Sequence, residues 1–74
     1  MIGGEGRPNR YRVRVVEEGR GWHVEILEPD GRVVFTRACR DEAEARTRAS
    51  TVEQHIYWLS PGKFENYYRL SEPA

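Results

Sequence analysis

Near Asp41 the hydrophobic pattern changes its period, and that change sets the fold class. Upstream, Tyr11, Val13 and Val15 fall on one side of an extended segment, with Arg12, Arg14 and Val16 on the other. Successive side chains of a strand point to opposite faces, so this spacing predicts a strand with one face prepared for a core. Glu17-Glu18-Gly19-Arg20-Gly21 supplies the glycines of a turn, and Trp22-His23-Val24-Glu25-Ile26-Leu27 alternates again. Pairing across that turn sets Val15 against Val24 and Val13 against Ile26 on one face. On the other face it sets Arg14 against Glu25, an opposite-charge pair that adds a few tenths of a kcal/mol, roughly. Both faces agree on one register, and a hairpin follows.

Pro29-Asp30-Gly31 marks the next turn: Pro presets the first turn angle, Asp suits the second position and Gly accepts the left-handed conformation of a bulge. Arg32-Val33-Val34-Phe35-Thr36-Arg37-Ala38 returns as a third strand. A three-residue bulged loop places Val34, Thr36 and Ala38 beside Ile26, Val24 and Trp22. A loop one residue shorter places Val33 and Phe35 there, since a slip of one residue exchanges the faces. The bulged loop is the expectation.

Beyond Asp41 the spacing becomes helical. Asp41 is placed to cap free backbone amides, and Glu44 completes a capping-box pattern at the positive end of the helix dipole. Ala45, Ala49, Val52, Ile56 and Leu59 then form one apolar stripe, interrupted at Ser60-Pro61-Gly62. Small Ala residues at its start let the helix lie close to the sheet. Residues 63–70 read two ways: Ser60 as a cap with Pro61 at the first helical position argues for a short helix, and the aromatic content argues for an extended tail. The expected architecture is α+β: a three-stranded antiparallel sheet (about 10–17, 22–28 and 32–38) packed by one long helix (about 42–59). A flexible arm (1–9), a single domain (10–70) and a flexible tail (71–74) complete the layout, from the Gly and Pro content of the arm and the aperiodic end.

Size and composition narrow the functional classes. A chain of 74 residues buries only about 60% of the surface its unfolded form exposes, which speaks against a deep private substrate pocket. One cysteine, Cys39, excludes an intrachain disulfide framework and a multi-cysteine zinc site. No apolar run reaches the ~20 residues of a membrane span and the first residues carry no signal-peptide core, so a small soluble domain, cytoplasmic and off the membrane, is expected. The 12 basic and 12 acidic residues cancel. All the cations but Lys63 are Arg, the weakly hydrated, fork-shaped cation that suits interfaces and phosphates. Residues 1–40 carry a net charge of +2 and residues 41–74 one of -2, an offset too small for a dedicated duplex binder.

Catalytic chemistry finds little to build on. His23 falls on the outer face of the second strand and His55 beside the apolar stripe. A lone Cys39 at a strand-to-helix junction reads as a small spacer, although a Cys–His pair assembled in space is the alternative. One Cys and two distant His lack zinc-ligand spacing. Gly19-Arg20-Gly21 opens no helix and is no phosphate loop. No catalytic residue, metal, cofactor or small-molecule substrate is therefore assigned.

Two surfaces remain. Arg10, Arg12 and Arg14 project from one side of the first strand, with Arg7 in the arm and Arg20 in the turn. A sheet presenting alternate Arg residues suits a major groove, where Arg reads guanine edges. Trp22-x-Val24-Glu25-Ile26, Asp30-Gly31-Arg32 and Asp41-x-x-x-Ala45 together resemble the sheet-plus-helix DNA-binding modules of tyrosine recombinases and AP2-type factors, over residues 11–59. The resemblance implies DNA contact through the face carrying Arg12, Arg14 and Arg20. Glu25 in the middle of that face, a net charge of zero and the lack of a following catalytic domain depart from the pattern. In outline the chain is also similar to small antitoxin-type domains.

The second surface is aromatic. Trp58 lies off the helix stripe, and Tyr57, Phe64, Tyr67 and Tyr68 fall with it between positions 57 and 68. In the bulged register Leu27 and Phe35 are exposed on the outer sheet face. Apolar patches rich in Tyr, Trp and Arg mark contact surfaces. Either the tail folds back over them or another chain covers them. The leading expectation is a non-enzymatic protein-interaction module, self-associating as a homodimer or accessory to a larger complex, that buries Leu27, Phe35, Trp58, Phe64, Tyr67 and Tyr68. The alternative is nucleic-acid binding through Arg7, Arg10, Arg12, Arg14 and Arg20.

Overall fold

Three strands come first along the chain, each ended by its own local signal. In the computed structural model, which describes residues 9–70, β1 spans Arg12–Glu18, β2 Gly21–Leu27 and β3 Val33–Cys39. They make one antiparallel sheet in the order β1-β2-β3. Arg7 and most of the arm at 1–9, like the tail at 71–74, lie outside the described residues. Asn9 is anchored: its Oδ1 accepts from the Tyr11 amide at 2.9 Å and its Nδ2 donates to the Leu59 carbonyl at 3.3 Å.

The first hairpin has the expected register, with Val15 opposite Val24, Val13 opposite Ile26 and Arg14 opposite Glu25. Gly19 takes φ +60° in its turn, a conformation that glycine adopts at little steric cost. The second turn is closed by hydrogen bonds from the Gly31 amide to the Glu28 carbonyl (2.8 Å) and from the Glu28 amide to the Arg32 carbonyl (2.9 Å), with Gly31 at φ +96°.

The third strand departs from expectation. Phe35, Arg37 and Cys39 oppose Ile26, Val24 and Trp22, in place of Val34, Thr36 and Ala38. A bulge exists, but it sits in the ladder between Ile26 and Leu27, not in the Pro29-Asp30-Gly31 loop. Val33 faces Leu27 and Phe35 faces Ile26, so Val34 is the extra residue that a bulge carries. The reason is burial: this register turns Phe35 onto the core side, where its ring meets Tyr68 edge-on at 5.5 Å, instead of leaving it in water. Leu27 is likewise buried. It lies in the central strand, flanked by Arg12 and Val33.

Helix α1 (Glu42–Trp58) begins where the period changes. The Asp41 carboxylate accepts from the Glu44 amide at 2.9 Å, and Glu44 reaches back to the Arg40 amide at 2.6 Å. The capping box thus forms one residue out of its usual position. The apolar stripe faces the sheet: Ala45 and Val52 are buried, and Ile56 and Leu59 pack on the core. Residues 61–68 fold as a helix, α2 (Pro61–Tyr68), with the Ser60 hydroxyl accepting from the Lys63 amide at 3.4 Å. Cap chemistry therefore prevails over the β propensity of its aromatics.

The core gathers Ile26, Val52 and Phe64, with Tyr11, Val13, Val34 and Leu70 packed around them. Phe64 stacks on Tyr11 at 5.1 Å and meets Tyr68 at 4.9 Å, so α2 closes one end of the sheet.

Candidate functional site

One helix cannot cover three strands. An α-helix with its side chains is about 10–12 Å across and neighbouring strands lie about 4.8 Å apart. Here α1 lies mainly over β1 and β2 and approaches β3 least. The inner face of β3 is therefore left open, and a groove of about 390 Å³ runs between α1, β3 and α2. Phe35 supplies its accessible apolar surface over the buried Val24 and Val52, and Tyr67 and Tyr68 close one side.

The groove's polar lining is cationic. Arg37 reaches it from β3, Arg48 from α1 and Arg69 from the end of α2, and among the described residues no Asp or Glu lines it. Arg37 follows from the register, which turns this residue toward the helix layer opposite Val24. Among the described residues Arg37 and Arg69 have no carboxylate partner within 4.0 Å, and Arg48 only touches that limit with Glu44. Three other arginines are paired more closely: Arg14 with Glu25 at 2.7 Å, Arg32 with Glu28 at 2.9 Å and Arg46 with Glu42 at 2.8 Å.

Arg69 has a further peculiarity. It caps α2 at φ 62° and ψ 35°, the left-handed region where a non-glycine residue is strained by about 1 kcal/mol or more. The Leu70 amide closes this cap on the Glu65 carbonyl at 2.8 Å.

Thr51, His55 and Trp58 stand at i, i+4 and i+7 on one face of α1. Thr51 and His55 line the groove and Trp58 continues their row past its end. Trp58 is 76% exposed, uncovered by α2, and Tyr67 of α2 is 62% exposed. Tyr67 packs on His55 at 4.6 Å. His55 Nδ1 is hydrogen-bonded to the Tyr68 hydroxyl at 2.7 Å, and the Thr51 hydroxyl donates to the Thr47 carbonyl at 3.2 Å. Burial raises the Tyr68 phenol above its ordinary range, with the neighbouring Tyr67 adding to the shift. The imidazole and both hydroxyls are thus already engaged within the fold.

The six residues expected at a protein interface divide. Phe64 is fully buried and Leu27 nearly so; neither offers surface to a partner. Phe35, Tyr67 and Tyr68 line the groove, with Trp58 beyond its end. Arg37, Arg48 and Arg69 were not anticipated. Arg48 was within reach of a sequence argument, since it stands one turn before Val52 beside the apolar stripe. Arg37 was hidden by the wrong register of β3, and Arg69 by a cap that only the folded chain displays.

The opposite sheet face is a charge network. Glu25 accepts from Arg14 Nε at 2.7 Å and contacts His23 Nε2 at 3.0 Å. The hydrogen bond from Arg14, with a smaller one from His23, holds the Glu25 carboxyl below its usual range against the opposing effect of burial. Arg10, Arg12 and Arg20 are exposed. No group of three or more metal-ligating side chains forms among the described residues.

Tyr11 ties β1 to α2 by donating its hydroxyl to Glu65 Oε2 at 2.7 Å. Burial, followed by this hydrogen bond and the Glu65 charge, pushes the phenol from 10.0 up to about 12. The folded pKa lies above the unfolded one, so the contribution to stability is complete below pH 10 and disappears as pH rises through 12. Tyr11→Phe is expected to lose about 1 kcal/mol at neutral pH and to show a shallower alkaline decline than the parent. Urea unfolding at stepped pH checks this, and equal declines in both proteins would remove Tyr11 as the responsible group.

No family model matches the chain, and the searches of curated proteins and of solved structures return no match. No helix among the described residues is long and apolar enough to cross a membrane.

Proposed function

We propose that the chain is a non-enzymatic protein-interaction module of the cytoplasm that docks a partner across the groove between α1, β3 and α2. The observation that carries this reading is a groove of about 390 Å³ beside two large aromatics, Trp58 and Tyr67, that the fold leaves 76% and 62% exposed. Tyr, Trp and Arg are the residue types that dominate binding energy at interfaces, and all three meet here. The engagement of His55, Tyr68 and Thr51 within the fold supports binding over catalysis.

A two-fold homodimer built on this groove is less well supported than a different partner. Such a contact presents the same patch from both chains, and it would bring Arg37 and Arg69, which have no ion-pair partner among the described residues, toward their own copies. Sedimentation equilibrium and selection from a random-peptide display library test the proposal together. The expected result is a monomer that enriches peptides whose binding is lost in Trp58→Ala and Tyr67→Ala. A self-association sensitive to Trp58→Ala would make the partner a second copy. A monomer that enriches no peptide would overturn the interaction reading.

Nucleic-acid binding is the second reading, favoured by the exposure of Arg10, Arg12 and Arg20 without ion-pair partners among the described residues. Arg14 is committed to Glu25, which thins that face. Binding carried by phosphate contacts weakens steeply with salt. A random duplex that does not shift at low salt excludes this reading.

A further inference from the structure

We infer that the ligand of the groove is an extended, acidic segment of a partner protein that adds to the sheet as a fourth strand along β3. The inference rests on the interaction-module reading and specifies its partner.

Three observations converge. The first is the sheet order. β3 is an edge strand, bonded to β2 on one side and to no strand on the other among the described residues. An edge offers a row of backbone donors and acceptors to an incoming strand, and peptide recognition by strand addition uses that row for affinity and adjacent pockets for specificity. Here the pocket lies alongside the same strand, since Phe35 and Arg37 of β3 both line the groove.

Charge is the second. Arg37, Arg48 and Arg69 line the groove, and no carboxylate of the described residues lines it with them. In a chain of zero net charge, this is a local surplus of cations gathered on one apolar-floored groove. Guanidinium groups bind carboxylates through paired, charge-assisted hydrogen bonds. An acidic segment supplies what the fold withholds.

The third is Arg69. The left-handed cap it occupies is ordinarily a glycine position, and the arginine holds it at a cost in strain. A residue that breaks a local rule, here with no ion-pair partner among the described residues, marks a site where the side chain serves something other than the fold. Arg69 points to the ligand.

The geometry specifies the peptide. Side chains of an added strand alternate between faces, so every second residue looks onto the groove side. An apolar residue there meets Phe35, and acidic residues two positions before and after it meet the arginines. The pattern is acidic-x-apolar-x-acidic.

The test uses the full chain and three fluorescein-labelled synthetic peptides. One carries the acidic-x-apolar-x-acidic pattern, one has Lys in place of each acid, and one has N-methylated backbone amides in the acidic pattern. Fluorescence anisotropy is expected to show binding of the first alone, weakening with added salt. Affinity is expected to fall about tenfold for Arg37→Glu and again for Arg48→Glu, as for the loss of one charged contact. Arg69→Gly separates binding from folding: its thermal midpoint is expected to hold or rise while peptide affinity falls. Hydrogen exchange is expected to slow at β3 amides when the acidic peptide is bound.

Three results overturn the inference: no binding of the acidic peptide, equal binding of the Lys peptide, or undiminished binding of the N-methylated peptide. Display selection tells this failure from that of the broader reading. Neutral or basic ligands that depend on Trp58 leave the interaction module standing and remove the acidic strand; no ligands at all remove both.

Discussion

Phe64→Ala is expected to destabilise the protein by about 3–5 kcal/mol, the range for truncating a buried Phe. The chain has 74 residues, and folded domains are stable by roughly 0.05–0.15 kcal/mol per residue. The lower part of that range amounts to about 4 kcal/mol, so this one truncation can leave the domain largely unfolded. Phe64 has 0% exposure and touches both ends of the fold, stacking on Tyr11 before β1 and on Tyr68 beside the groove. Removing the ring leaves a cavity that α2, anchored at Ser60 by its cap, cannot easily close. Urea unfolding followed by far-ultraviolet circular dichroism measures the loss. Tyr67→Ala, at an exposed position of the same helix, is the control and should stay within about 0.5 kcal/mol. A Phe64→Ala loss below about 1 kcal/mol would show that α2 does not close the core as described.

Ile26→Ala is expected to cost about 2–5 kcal/mol. Ile26 is also fully buried, in the central strand, with Val13 and Phe35 as its cross-strand neighbours. The mutation probes the register of β3, because in the register with Val34 opposite Ile26 the Phe35 ring lies on the other face. A cycle with Phe35→Ala separates the two. In the observed register the two side chains are neighbours and their effects are coupled by more than about 0.5 kcal/mol. Additivity within error would place Phe35 away from Ile26. Ile26 and Phe64 share one core cluster, so their separate costs do not add either.

Much of this fold was legible where short-range chemistry decides it. Both faces of the first hairpin agreed on one pairing, because hydrophobic alternation and the Arg14–Glu25 pair specify the same register independently. Asp41 with Glu44, and Ser60 with Pro61, announced the two helix starts because a cap satisfies amides within a few residues of itself. The pairing of β3 was different. Val33, Val34 and Phe35 are three adjacent apolar residues, so alternation offers no unique phase. The choice fell to the fit of Phe35 against Tyr68, more than thirty positions away in the chain.

Of the candidate site, the aromatic half was visible and the cationic half was not. Trp58 stood out because it falls off the stripe of Ala45, Val52 and Ile56. Phe64 looked equally available, and packing took it into the core. Arg37 lines the groove only because the bulge at Val34 reverses the faces of everything after it.

By itself the sequence determined an α+β chain with a hairpin, a third strand and a capped amphipathic helix. Those follow from periodicity, turn chemistry and capping, each set by neighbours a few residues apart. Long-range packing sets the rest: α1 rests over β1 and β2, α2 seals one end with Phe64, and β3 keeps an open inner face beside three arginines. The reason is geometric: a single helix is too narrow for three strands, and which strand stays uncovered depends on contacts between residues far apart in the chain.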